Sequence, residues 1–214
     1  MDLCLKRRDR SASFDDLMNY LAHLWLTDAT RLPLAGAILG DWVRGRLEDR
    51  DLPQALGSSI RLHRRVDAVT DRHPSIVALR ERFPAGTRRY AGIVLDLVCD
   101  HALARGWQRF GGDEPLAGFA RRAADEVAEA ASWFQKLDAP PPSKWRLSEL
   151  LLSYHTETGI DRALHRTAAR LRQPQPLLDA GARWREIAVA VEHVLPELLD
   201  DLRRESLAFA GVLH

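Results

Sequence analysis

The sequence predicts an all-α fold in one domain, and three observations carry that prediction. No segment alternates apolar and polar residues over a strand's length. Apolar residues recur instead at helical spacing, in stretches punctuated by Pro33, Pro53, Pro74, Pro84 and Pro196. The 214 residues, 46% hydrophobic and 29% charged, match one soluble globular domain with a substantial core.

Residues 1–17 are polar and aperiodic, which predicts a disordered extension and a natural start at Met18, with the helical domain covering 18–214. They hold no apolar h-region and do not read as a secretory signal. From Met18 the run Met18-Asn19-Tyr20-Leu21-Ala22-His23-Leu24-Trp25-Leu26 is helix-like, with His23 either a core histidine or a ligand of a site that approaches it. Pro33 suits the first turn of a second helix, 34–44, with Gly45 as its stop. Gly36 and Gly40 are four residues apart and form one flat face that another backbone can approach closely. Asp41 follows in an otherwise apolar stretch, where a carboxylate is costly to bury without a cation. It also suits a cap or an ion pair with Arg44 or Arg46.

Asp51 ahead of Pro53 reads as the start of a long third helix, ending at Arg72-His73 because Pro74 disfavours helix before it. In that helix His63, Asp67 and Asp71 follow at four-residue steps, so they stack along one face, each turned about 40° from the last. An imidazole and two carboxylates in one stripe suit a divalent metal. Arg61, Arg64 and Arg65 lie beside the stripe, where guanidinium forks match phosphate oxygens. The same pattern also suits a surface helix with Asp–Arg pairs at i, i+4 spacing.

Pro74 to Phe83 is a short amphipathic helix stopped by Pro84 and Gly86. The next helix, 87–107, carries Leu95-Asp96-Leu97-Val98-Cys99-Asp100-His101-Ala102-Leu103, in which polar groups interrupt a strongly apolar face. Burial of those carboxylates without a cation would cost several kcal/mol each, or neutralise them, which points to a metal or catalytic role. Further helical patterns run over 115–137, 145–157, 159–171 and from Pro176 to the end, the last kinked or divided at Pro196. Trp133, Trp145 and Trp184 are expected packing anchors, and His155, His165 and His193 structural or surface residues.

Composition narrows the function further. A net charge of +1 argues against a nucleic-acid binder that works by bulk charge, although eight arginines between Arg61 and Arg89 face only Asp67, Asp71 and Glu81. Two cysteines are too few for a disulfide framework or a cysteine-rich zinc site, and a reducing cytoplasm is the expectation. No apolar run reaches the roughly 18 residues of a membrane span. Phosphate-binding glycine loops, dinucleotide fingerprints and nucleophile elbows are missing from the sequence.

Taken together, Met18-Asn19-Tyr20-Leu21-Ala22-His23-Leu24, Gly40-Asp41-Trp42-Val43-Arg44-Gly45, His63-Arg64-Arg65-Val66-Asp67 with Thr70-Asp71, and Leu95-Asp96 with Asp100-His101 resemble the acyl carrier protein phosphodiesterases, divergent relatives of the HD-type metal phosphohydrolases. The resemblance covers the chain from Met18 onward. It departs from ordinary HD enzymes in reading Asp100-His101, the reverse of their His-Asp order. It implies hydrolysis of the phosphodiester joining 4′-phosphopantetheine to a serine of holo-acyl carrier protein, an acidic protein substrate, with Mn²⁺ as cofactor. Under that reading Asp41, His63, Asp100, His101 and His23 are the expected metal ligands, and Asp67, Asp71 and Asp96 further ligands or orienting groups. Asp41, His63, Asp67, Asp100 and Arg65 form the expected catalytic set, with Arg44, Arg64 and Arg65 on the phosphate. The alternatives are an HD-type hydrolase of a nucleotide or other small phosphodiester, and a non-catalytic helical module docking acidic carrier proteins.

Overall fold

The computed structural model describes residues 20–212. The expectations for residues 1–17 and for Met18 therefore lie outside the described residues. Among the described residues there is no strand, and twelve α-helices follow one another. In order they are α1 Tyr20–Ala29, α2 Ala35–Leu39, α3 Gln54–Arg72, α4 Pro74–Glu81, α5 Ala91–Arg105, α6 Trp107–Phe110, α7 Leu116–Glu129, α8 Ala131–Lys136, α9 Lys144–Ser153, α10 Glu157–Arg170, α11 Gln175–Gly181 and α12 Trp184–Gly211. The all-α expectation holds.

The longest helix, α12, lies against α1, α3, α4 and α5, and these five elements enclose the part of the core beneath the site. Each presents an apolar stripe to the others. In α3 the residues Leu56, Ile60, Leu62 and Val66 are buried, while Arg65, Asp67 and Asp71 stay exposed. In α12 Val191, Leu195, Leu198, Leu199 and Leu202 are buried. Fully burying side chains of this kind stabilises by about 1.5–3 kcal/mol each relative to exposure. A second group, α7 on α9, packs its own apolar faces at a distance along the chain from the site-bearing helices.

Proline punctuation sets several boundaries as expected. Pro53 precedes α3, and α3 stops at Arg72 with His73 extended before Pro74. The second helix is shorter than its pattern suggests. It ends at Leu39, and Gly40 to Arg50 run through turns, with Gly45 at φ +77°, a backbone conformation that costs a glycine little. That shortening turns Asp41 away from a helix face and into a loop. Pro196 does not divide the last helix, which runs unbroken from Trp184; the break falls earlier, at Ala182–Arg183. Trp184 is buried as expected and Trp133 is partly buried against the core. Trp145 is not an anchor: it is 65% exposed on α9.

The two glycines of the α2 region bring α2 and α3 together. A Cβ at Gly36 would lie 2.3 Å from Ser59 Cβ, and one at Gly40 would lie 2.2 Å from His63 Cγ. Only glycine leaves room there. Ser59 closes the contact by donating its hydroxyl to Pro33 O at 2.7 Å.

Candidate metal centre

Two helices and one loop bring four polar side chains together. From α1 comes His23, buried; from α3 come His63, 3% exposed, and Asp67, at the surface; the loop after α2 supplies Asp41. The two imidazole rings stack with centroids 4.1 Å apart. Asp67 reaches both, with one oxygen 3.1 Å from His23 Nε2 and the other 3.3 Å from His63 Nε2. Asp41 Oδ1 stands 3.6 Å from the same His63 nitrogen. One donor atom each from His23, His63 and Asp67 fall within 4.8 Å of one another.

The orientation of His63 is set from behind. Its Nδ1 lies 2.7 Å from the backbone carbonyl of Ala37, so Nδ1 carries a hydrogen and donates it. In the neutral ring Nε2 then offers a lone pair toward two carboxylates. That arrangement repels unless a cation, either a proton or a metal ion, lies between. With a proton there, burial opposes the charge on His63 but hydrogen bonds and attraction from Asp41 and Asp67 outweigh it, and its pKa is pushed up to about 10. Burial likewise raises Asp67 and Asp41, yet the neighbouring histidines hold both carboxyls below their usual range.

Asp96, on α5, lies in the field of neighbouring carboxylates. Burial, then the charges of Asp67, Asp100 and Asp71, push its carboxyl well above the usual value, with Arg80 as an opposing influence. Asp67 and Asp41 beside the Nε2 atoms of His23 and His63 make a set that could hold a divalent ion accepting nitrogen and oxygen ligands. The residues present fit such an ion.

The other expected site residues divide between those at this cleft and those elsewhere. Gly40, Asp41, Val43, Arg44, Gly45, His63, Arg64 and Asp67 line a cleft of about 340 Å³. Arg44 is exposed at its lip. The Arg64 guanidinium donates to Val43 O at 2.6 Å and Gly45 O at 3.0 Å, so it ties down the loop that carries Asp41 and Arg44. Arg65 donates its Nε to Glu205 of α12 at 2.7 Å. Asp71 pairs with Arg80.

Asp100 and His101 take separate paths from adjacent positions on α5. Both oxygens of Asp100 accept amide hydrogens of α1, from Leu21 at 3.0 Å and Ala22 at 2.9 Å. Burial pushes its carboxyl up to about 7 against the pull of those two bonds. His101, also expected as a ligand, turns to other partners. Its Nδ1 lies 2.6 Å from Tyr154 O, its ring meets the edge of Trp184, and Arg105, Glu157 and Glu192 are its charged neighbours. A step of one residue turns a helical side chain by about 100°, which is why Asp100 faces α1 and His101 faces α12.

Sequence reasoning left Glu205 out altogether, and no pattern near Arg65 signals it, because the two lie 140 residues apart. The apolar run around His23 left it either a core histidine or a ligand, and the family resemblance singled it out as a ligand.

Comparisons with known proteins agree with the motifs. The sequence model of the family described as "Acyl carrier protein phosphodiesterase" matches residues 18–202. The chain is 36% identical over 168 residues to the acyl carrier protein phosphodiesterase of Escherichia coli strain K12 / DH10B, covering 76% of this chain and 82% of that protein. The protein of the same name from Escherichia coli O157:H7, strain EC4115, matches to the same extent. No solved structure matches.

Proposed function

The chain belongs to the acyl carrier protein phosphodiesterase family, and we propose that it hydrolyses the phosphodiester of holo-acyl carrier protein at a divalent-metal centre held by His23, His63 and Asp67. One observation carries the metal: the Ala37 carbonyl fixes His63 so that Nε2 faces Asp67, and donor atoms of His23, His63 and Asp67 converge within 4.8 Å of one another. Mixed nitrogen and carboxylate donors suit Mn²⁺. An ion bound there supplies Lewis-acid polarisation of a phosphoryl oxygen and makes a water more acidic.

The rest of the reaction falls to the side chains. Water oxygen bonds to phosphorus as the bond from phosphorus to the serine oxygen breaks, and the serine oxygen takes up a proton. The products are 4′-phosphopantetheine and the apo-carrier protein. Asp41, ionised and at the cleft wall, orients the attacking water. Arg44 at the lip meets the non-bridging oxygens and offsets the charge that builds on phosphorus. Arg64 holds the loop in place rather than clamping phosphate, since its guanidinium is committed to two carbonyls. The carrier protein reaches the cleft across the exposed arginines of α3 and the preceding loop, whose charge suits an acidic partner. No described helix is long and apolar enough to cross a membrane, in keeping with work on a carrier protein in the cytoplasm.

Intact-mass spectrometry of holo-acyl carrier protein incubated with the enzyme and Mn²⁺ tests this. The carrier should lose the mass of its phosphopantetheine. A chelator, His63→Ala and Asp67→Ala should each abolish most of that loss, with helix content unchanged by circular dichroism. Undiminished turnover in both variants, or in chelator, would refute the metal centre.

A further inference from the structure

The strongest unassigned feature is the junction of α5 and α1. N–H groups in the first turn of a helix have no carbonyl ahead of them in the helix, and a buried one must find another acceptor. Here Leu21 and Ala22 each find an oxygen of the same carboxylate, Asp100, at 3.0 and 2.9 Å, from 79 and 78 residues along the chain. Asp100 is 1% exposed. The next residue of α1 is His23, whose Nε2 meets Asp67 and whose ring stacks on His63. A carboxylate at a helix N-terminus is also favoured by the helix dipole, so the attachment is both directional and charge-assisted.

We infer that Asp100 is a positioning residue that fixes the rotation and height of α1 and thereby sets His23 against His63 and Asp67, rather than a direct metal donor. Both of its oxygens already accept a backbone hydrogen, and their direction is toward α1. The amides leave no slack: a helix turning by one residue sweeps a side chain through about 100°, so rotation of α1 about its axis carries His23 Nε2 away from Asp67. The inference rests on the metal-centre reading for its consequence in catalysis, but the anchor itself is a property of the metal-free protein.

The two are separable by experiment. In the metal-free full-length protein, NMR should detect couplings across the hydrogen bonds from the Leu21 and Ala22 amides to the Asp100 carboxyl carbon. This arm needs no variant and no metal. Asp100→Asn, which keeps the shape but offers one acceptor oxygen, should speed amide exchange at Leu21 and Ala22 and shift the ring signals of His23. Calorimetric titration with Mn²⁺ then forms a double-mutant cycle from the parent, Asp100→Asn, His23→Ala and the double variant. Asp100→Asn alone should weaken Mn²⁺ by about tenfold, the scale of an orienting group, with stoichiometry kept. In the His23→Ala background the same change should have no further effect, because Asp100 acts through His23. Activity should follow with kcat lowered and KM little changed. Additive losses of Mn²⁺ affinity would make Asp100 a direct donor and overturn the inference. So would missing couplings with unchanged exchange and unchanged His23 signals. If the parent binds no Mn²⁺ at all, the metal-centre reading fails, while the couplings, exchange and ring signals still decide the anchor.

Discussion

The Ala37 carbonyl decides what His63 can be. By holding the Nδ1 hydrogen it presents Nε2 to Asp41 and Asp67, and in the metal-free protein a proton occupies that nitrogen. The folded pKa of His63, pushed up to about 10, lies above the ordinary value of 6.5. The ion-paired imidazolium therefore stabilises the metal-free fold fully below about pH 6.5, and the contribution is lost as the pH rises through 10. Thermal melts in chelator should show the melting temperature of the parent falling over that window, and a flatter profile for His63→Gln. Equal slopes would mean that the carboxylates do not hold the proton. At this scale the sequence was partly legible. The four-residue spacing places His63 and Asp67 on one face because a helix repeats with that period. Nothing in that spacing tells which carboxylates of α5 turn toward α3, and Asp100 and His101, adjacent in the chain, part company because their directions depend on how α5 packs against α1 and α12.

Between elements, the contact of the α2 region with α3 governs the site. His63 occupies space that any Cβ at residue 40 would need, and Ser59 does the same at residue 36. Gly36→Ala and Gly40→Ala should each destabilise the fold, by about 1–3 kcal/mol for overpacking of a tight contact, read as a lower melting temperature. Their effects on the metal should differ. Gly40→Ala pushes the His63 ring itself and should weaken Mn²⁺ binding measurably by calorimetry, whereas Gly36→Ala meets Ser59, one turn away, and should leave affinity close to the parent's. Similar affinity losses in both would place the sensitivity in the helix pair as a whole and not in the ring. The glycine pair was readable as a close approach, since two residues four apart share a helix face. The length of that helix was not, because apolar residues continue past Gly40 and only the packed structure shows Trp42 and Val43 reaching the core from a turn. Prolines behaved according to position. Pro74 stopped α3, but Pro196 sits inside α12, where burial of Leu195, Leu198, Leu199 and Leu202 on the surrounding helices outweighs the loss of one backbone hydrogen bond.

Across the whole molecule, the centre exists only once distant pieces of chain have met. His23 belongs to α1, Asp41 to the loop after α2, and His63 and Asp67 to α3, with α12 packed against α1 and α3 to hold them together. Period and punctuation in the sequence are enough for the class of such a fold, since each helix writes its own apolar stripe. They do not carry the order of packing, which is set by contacts between residues far apart, such as Arg65 with Glu205. A ligand that needs these three elements in place binds the folded chain and not the unfolded one, so it must stabilise the fold by mass action. At a Mn²⁺ concentration about 100 times its dissociation constant the gain is about 2.7 kcal/mol. For a chain of this size that corresponds to a rise in melting temperature of about 5 to 10 °C. Calorimetric melts with Mn²⁺ and after chelation should show that shift and its reversal. His63→Ala and Asp67→Ala, each lacking a donor, should melt at the same temperature with or without the ion. A full shift persisting in both variants would locate the ion elsewhere, because no remaining pair among His23, His63 and Asp67 offers the three converging donors on which the centre depends.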